Sequence, residues 1–194
     1  MVPLLVTDRF ALWRPAPDDL AGLFELTRSE VSRQFLGSFV PSEADSFARL
    51  LRNAGSWALW GYGTFMVRPR GEAQIIANCG VFRSHRGFGA AMGLDNVPEA
   101  GWIVHPDCWG QGIAGEVMTA ALAWFDAAHG AQRVAAMIER GHTVSETIAS
   151  KLGFVRSGCD ELQDRAALGV WERSGKLPDL FKPEQCAAYL ANSG

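Results

Sequence analysis

Three glycines, Gly110, Gly112 and Gly115, fall within "WGQGIAG", between a strand-like run, "AGWIVHPDC", and a helix-like run, "EVMTAALAWFDAAHG". A helix start presents unpaired N–H groups and the positive end of the helix dipole. Glycine lets such a backbone adopt positive φ and lie close against a ligand. Together they make an anion site suited to phosphate. A tight strand-to-helix turn without a ligand is the plainer account, and three glycines at one helix start weigh against it. The spacing also reads G-x-G-x-x-G, the fingerprint of dinucleotide-binding turns, and Glu139 at the end of the next strand suits a ribose hydroxyl. Against that, "HPDCW" separates the strand from the first glycine, several strands precede the turn, and too little chain follows Glu139 for a doubly wound sheet. A Walker loop fails because no Gly-Lys-Ser/Thr follows.

The elements around the turn follow from periodicity. "RFALWRPA" alternates and ends at proline, so it reads as a strand. "PDDLAGLFELTRSEVSRQF" opens acidic and spaces Leu20, Leu23 and Phe24 as a helix does. "PSEADSFARLLRNA" begins with proline and a serine cap and predicts a second helix. "SWALWGYGTFMVRPRGEAQIIANCGVFRS" reads as two strands joined by a turn at Pro69 to Gly71. "RGFGAAMGLDNV" predicts a loop. A strand over 99–105, a helix over 113–128 closed by Gly130, a strand "RVAAMIE" and a helix "TVSETIASKL" closed by Gly153 come next. "FVRSGC" and "AALGVWERS" predict the last strands, and "LPDLFKPEQCAAYLANSG" a short terminal helix. On the helix after the turn, Ile113, Val117, Ala121, Trp124 and Phe125 share one face, which predicts core. Antiparallel-looking strands followed by one strand-helix-strand crossover give a mixed α+β sheet.

With 194 residues, 48% hydrophobic and 20% charged, the chain is expected to be one soluble domain spanning 1–194. A net charge of −3 speaks against a nucleic-acid surface. Cys79, Cys108, Cys159 and Cys186 lie far apart, which argues against a zinc site or a disulfide framework and suits reduced thiols. No signal segment and no membrane span is legible, so a cytoplasmic protein without membrane attachment is expected.

"GWIVHPDCWGQGIAGEVMTAALAWF" resembles the coenzyme-binding motif of the GNAT superfamily of N-acetyltransferases, whose pattern (Gln/Arg)-x-x-Gly-x-(Gly/Ala) falls on Trp109, Gly112 and Ala114. Tryptophan in the first position is similar to the branch of the ribosomal-protein alanine acetyltransferases. "HTVSETIASKLGF" resembles a second family motif, near Asn-x-x-Ser-x-x-Ile-x-x-Lys-x-Gly-Phe. "TDRFALWRPAPDDL" and "WGYGTFMVRPRGEAQIIANCGVF" look like that branch too. The resemblance covers nearly the whole chain, is specific between residues 100 and 154, and weakens after about residue 160.

It implies a GNAT-type, mostly antiparallel twisted sheet with helices on both faces and a V-shaped cofactor cleft. It also implies acetyl-CoA as co-substrate and direct attack by an amine. In the family the glycine turn holds the coenzyme A pyrophosphate through backbone amides, here Gly110, Gln111, Gly112, Ile113, Ala114 and Gly115; Trp109 suits packing beside the coenzyme or stapling the helix to the sheet. The preceding strand bonds the pantetheine arm, here through Ile103, Val104 and His105. Glu99, in "PEAGW", matches the branch's glutamate and is the candidate base, with a plain loop carboxylate as its alternative. The helix asparagine that meets pantetheine is His142 here, and the acidic tyrosine falls at Ala149, which leaves Ser145 as the candidate acid. Both His142 and Ser145 also suit a simple helix start. Phe35, Phe39, Trp57, Trp60 and Tyr62 lie in segments that flank the acceptor cleft in relatives, although core burial accounts for most aromatics equally well. The acceptor is an amine on a small molecule or a protein N-terminus, and dimers are common in the branch. The rival accounts are a non-catalytic acyl-CoA-binding module and a Rossmann-like oxidoreductase.

Overall fold

A computed structural model of the protein describes residues 2–33, 40–85, 87, 94–157 and 168–174. Among these, eight strands are β1 (Leu5–Val6), β2 (Phe10–Trp13), β3 (Thr64–Pro69), β4 (Ala77–Arg83), β5 (Pro98–Val104), β6 (Val134–Glu139), β7 (Val155–Arg156) and β8 (Leu168–Arg173). They form a mostly antiparallel sheet in the order β1-β2-β3-β4-β5-β6-β8-β7. The described helices are α1 (Leu20–Arg28), α2 (Glu30–Arg33), α3 (Glu43–Trp60), α4 (Ile113–His129) and α5 (Thr143–Lys151). The α+β class and the antiparallel sheet agree with the sequence. An antiparallel run through β1 to β4 excludes the doubly wound parallel sheet that a dinucleotide site needs.

The chain divides into two compact units, Met1–Phe82 with Gly101–Phe125, and Arg83–Ala100 with Asp126–Gly194. In the first, β2 pairs β3 with Leu12 opposite Val67, and β3 pairs β4 with Phe65 opposite Cys79. Leu12, Leu23, Leu26, Phe65, Met66, Val117, Met118 and Phe125 are fully buried. The helical face predicted after the turn is core: Ile113, Val117, Ala121 and Phe125 are buried, and the Trp124 ring lies 5.4 Å from that of Trp57.

Two local readings are corrected. The segment "SWALW", read as strand, is helical: α3 runs to Trp60 because Ser46, Leu50, Asn53 and Trp57 continue one buried stripe past exposed Leu51 and Leu59. Ser42 and Asp45 form its capping box, and Gly61 closes it at φ 76° with its N–H on Trp57 O. The helix predicted across 17–35 is interrupted: Ser29 turns extended, and its hydroxyl oxygen accepts the Ser32 N–H at 3.1 Å. A serine side chain that satisfies a backbone donor competes with helix continuation.

In the second unit β5 pairs β6 in parallel, with Glu99 opposite Ala135, as the predicted crossover requires. β6 pairs β8 antiparallel from Val134↔Arg173 to Glu139↔Leu168, and β8 also pairs β7. Arg133 bonds Glu172 at 2.6 Å, and Arg173 bonds Asp126 at 2.5 Å.

Cys79 and Cys108 are free thiols, and burial pushes Cys79 up to about 12. Cys159, Cys186, Phe35, Phe39, the terminal segment 177–194 and most of the 86–97 loop lie outside the described residues. Among the described residues no helix is long and apolar enough to cross a membrane, and no His/Cys/Asp/Glu group is arranged to hold a metal ion.

Candidate functional site

The first unit contains the glycine turn. After β5, a single 3₁₀ turn over Pro106–Cys108 delivers the chain to Trp109. Gly110 and Gly112 then take φ of 74° and 73°, left-handed backbone that favours glycine, and both are exposed with Gln111 between them. A Cβ on Gly110 would meet nothing within 4 Å, so the backbone there is open to an approaching group. α4 begins at Ile113, and the residue before it is a glycine with no side chain to cap the helix. An exposed glycine turn leading into the positive end of a 17-residue helix is a geometry phosphate prefers.

The end of β5 is tied to this turn. The Trp109 indole N–H donates to Val104 O at 2.8 Å, with the ring half-exposed. His105 N–H donates to Ile76 O at 2.8 Å, and the Ile103 carbonyl accepts from Cys79 Sγ at 3.9 Å. Both groups therefore face β4 or Ile76 just before it. Peptide groups alternate along a strand, so Val104 turns its N–H and C=O away from β4. Of the three residues expected to meet a pantetheine arm, His105 has its amide engaged by Ile76 O, just before β4. Its Nδ1 accepts the Asp107 N–H at 3.3 Å.

A residue that sequence reasoning missed completes the turn. Arg9, between β1 and β2, donates through Nη1 to Gln111 O at 3.1 Å and through Nε to Glu116 Oε2 at 2.7 Å. Thr7 Oγ1 donates to Glu116 Oε1 at 2.6 Å. Burial raises the Glu116 carboxyl, but the hydrogen bonds from Thr7 and Arg9 outweigh it and hold the carboxyl below its ordinary value. No local motif signals this contact, because more than a hundred residues separate Arg9 from Gln111.

The second unit holds the other candidates. Glu99 is a buried carboxylate, 4% exposed, and accepts the Ser84 hydroxyl on Oε2 at 2.6 Å. Ser84, just past β4, was also not foreseen. At the start of α5, His142 is the N-cap: its Nδ1 accepts the Ser145 N–H at 3.1 Å. Nδ1 as acceptor places the neutral ring's proton on Nε2, which lies 3.5 Å from Ser145 Oγ, so the hydroxyl oxygen accepts that contact. Burial lowers the His142 imidazole, and the nearby Glu139 and Glu146 carboxylates only partly offset this. Ala149, onto which the resemblance projects a tyrosine, is fully buried. Trp57 and Tyr62 are core residues, in ring contact with Phe65 and Phe125 respectively, whereas Trp60 is half-exposed.

Residues 9–155 match the model of the acetyltransferase (GNAT) domain. Among solved structures, a GnaT-family acetyltransferase from Bordetella pertussis is 32% identical, over 88% of this chain and 98% of that one, with a TM-score of 0.77. An acetyltransferase from Salmonella typhimurium that modifies the N-terminal serine of the 50S ribosomal protein L7/L12 is 11% identical, over 89% and 99%, with a TM-score of 0.69. RimL, a ribosomal L7/L12 α-N-protein acetyltransferase in complex with coenzyme A, is 12% identical, over 88% and 97%, with a TM-score of 0.68. At such identities the last two share the fold. No curated protein matches the chain.

Proposed function

The chain belongs to the GNAT family of N-acetyltransferases, whose co-substrate is acetyl-CoA, and we propose that it acetylates a primary amine by direct attack. The left-handed turn at Gly110 and Gly112 carries this reading, because its backbone is open at Gly110 and a Cβ on Gly112 would meet only the Arg9 guanidinium, at 3.9 Å. Acetyl-CoA supplies the activated thioester carbonyl. The amides from Gly110 to Gly115 hold the phosphates, and Trp109 fixes the turn to β5 while its exposed ring packs beside the coenzyme. Ile103 and Val104 line the pantetheine arm, and the Val104 amide, turned away from β4, is the donor that polarises the carbonyl oxygen. Preorganised donors of this kind stabilise charge as it develops.

Two proton movements are needed. An alkylammonium ionises near pH 10, so the amine must lose a proton before or during attack. Glu99 is the acceptor of that proton, directly or through water, with Ser84 orienting its carboxylate. The departing thiolate, with a pKa of about 8.5, needs less help. Ser145, polarised by His142, donates toward it weakly. His142 spends Nδ1 on its own helix, so its part is to hold Ser145.

The whole chain acts as one catalytic domain, and a cytoplasmic enzyme suits the free thiols Cys79 and Cys108. The acceptors to try first are α-amino groups of ribosomal L7/L12 type, as modified by the two neighbours of that name, followed by small amines. The test is thiol release from acetyl-CoA over that library. Acetyl-CoA at about 100 times its Kd raises stability by roughly 2.7 kcal/mol, which a melting curve resolves; NAD gives no rise. Stabilisation without transfer to any amine would leave only a binding module. Glu99→Gln lowers turnover by about 10² to 10⁴-fold with acetyl-CoA affinity kept. Near-normal turnover in that variant removes Glu99 from the reaction.

A further inference from the structure

Glu116 poses a problem for the coenzyme reading. Its N–H donates to Gly112 O at 3.1 Å, so its carboxylate belongs to the first turn of the helix that is to receive a phosphate. There it suits the dipole but repels the ligand. The structure answers this with the β1–β2 turn. Arg9 Nε and Nη2 both lie 2.7 Å from Oε2, the Arg9 amide donates to Oε1 at 3.3 Å, and the Thr7 hydroxyl donates to Oε1 at 2.6 Å. Both carboxylate oxygens are thus directed onto residues 7–9.

The same guanidinium acts on the backbone. Nη1 binds Gln111 O at 3.1 Å. The Gln111–Gly112 peptide is planar and trans, so a carbonyl directed at Arg9 turns the Gly112 N–H to the opposite side. Nη2 lies 3.9 Å from where a Gly112 Cβ would sit, and the guanidinium stacks 4.8 Å from the Phe10 ring centroid, which fixes its position. The Arg9 side chain is 46% exposed and the Glu116 side chain 25%, so the ion pair itself adds little stability; its value lies in orientation and charge.

Resting on the coenzyme reading above, we propose that Arg9 is a positioning residue of the coenzyme site: it aims the Gly112 amide at the pyrophosphate and cancels the charge of Glu116. Arg9 touches the turn and the glutamate rather than the ligand. The consequence is a signed coupling between two substitutions. Arg9→Gln leaves the Glu116 carboxylate without a counter-charge beside the phosphate and releases the Gln111 carbonyl, and coenzyme A affinity falls by about tenfold or more. Glu116→Gln in the wild-type background leaves affinity equal or tighter. Glu116→Gln added to Arg9→Gln regains part of the loss, because the repelling charge is gone.

Calorimetric titration of coenzyme A into the four proteins, each checked by its ligand-free melting curve, decides the matter. With turnover assayed, Arg9→Gln raises the KM for acetyl-CoA and leaves saturated kcat within about twofold. If Arg9→Gln fails to fold, Arg9→Lys takes its place: it keeps the charge, loses the fork, and falls between wild type and the expected loss. Unchanged affinity in the Arg9 variant, beside tight binding by wild type, overturns the inference and leaves the functional reading standing. A double variant as weak as Arg9→Gln overturns it too, and makes Arg9 a ligand of the phosphate. If wild type itself binds no coenzyme A, the functional reading fails and this inference with it.

Discussion

The starts of α4 and α5 solve one problem in opposite ways. Both follow a strand by a short turn, and both leave amides that need partners. Before α5, Gly141 turns the chain at φ 84°, and His142 then gives its ring to the Ser145 N–H. The helix closes its own end. Before α4, the corresponding place is taken by Gly112, which has nothing to give, and the side chains that approach, Arg9 and Thr7, bind a carbonyl and a carboxylate. They leave the N–H groups to something else. A helix start meant for an external anion is recognised by the withholding of a cap as much as by its glycines.

Gly112→Glu puts the largest strain on this comparison. At φ 73° a side chain costs about 1–2 kcal/mol of stability, and the added charge opposes phosphate. Coenzyme A affinity is expected to drop at least about tenfold, near 1.4 kcal/mol, in a protein that still folds. Titration calorimetry beside a melting curve measures both. A folded variant with unchanged affinity would show that the anion binds elsewhere and that the open start is only a turn.

His142→Ala is expected to do the reverse. Loss of the cap lowers stability by about 1 kcal/mol, seen as a lower melting temperature, with coenzyme A affinity nearly unchanged. An affinity loss as large as that of Gly112→Glu would mean that both starts serve the ligand. The smallest effect sharpens the contrast through pH. The His142 imidazole is lowered in the folded protein, chiefly by burial, and its capping nitrogen works only when unprotonated. The unfolded chain therefore takes up the proton first. Stability is unaffected well above the ordinary imidazole value of about 6.5 and falls as the pH drops through it toward the lowered folded value. His142→Asn, which caps without titrating, removes that part of the slope. Melting curves of the two proteins between pH 7.5 and pH 5 make the comparison, and parallel slopes would rule His142 out as the cause.

Much of this was legible in the sequence, because the signals are local. The turn is announced by its own glycines, and the crossover from β5 through α4 to β6 by a strand pattern, a helix pattern and Gly130 in succession. α5 shows its helical run and its closing Gly153. The reading failed where a local signal was weaker than a distant contact. "SWALW" has strand-like aromatics, yet Trp57 completes the buried stripe of α3 and donates its indole N–H to Thr64 O at 3.0 Å. Ser29 looks like any helix residue until its hydroxyl takes the Ser32 amide. Arg9 and Ser84 are ordinary polar residues in sequence. Only the fold of the β1–β2 turn brings Arg9 to Gln111, and only the exit from β4 brings Ser84 to Glu99, so no spacing rule finds them.

The backbone at Gly110 has a consequence for chirality. Its φ of 74° is ordinary for a mirror-image amino acid. A D-alanine placed there by chemical synthesis would adopt that backbone by preference, where glycine must be held in it. Part of the freedom that the coenzyme removes on binding would already be gone from the free enzyme. The turn would meet its ligand with fewer shapes to lose, and L-alanine at the same position would have the opposite effect.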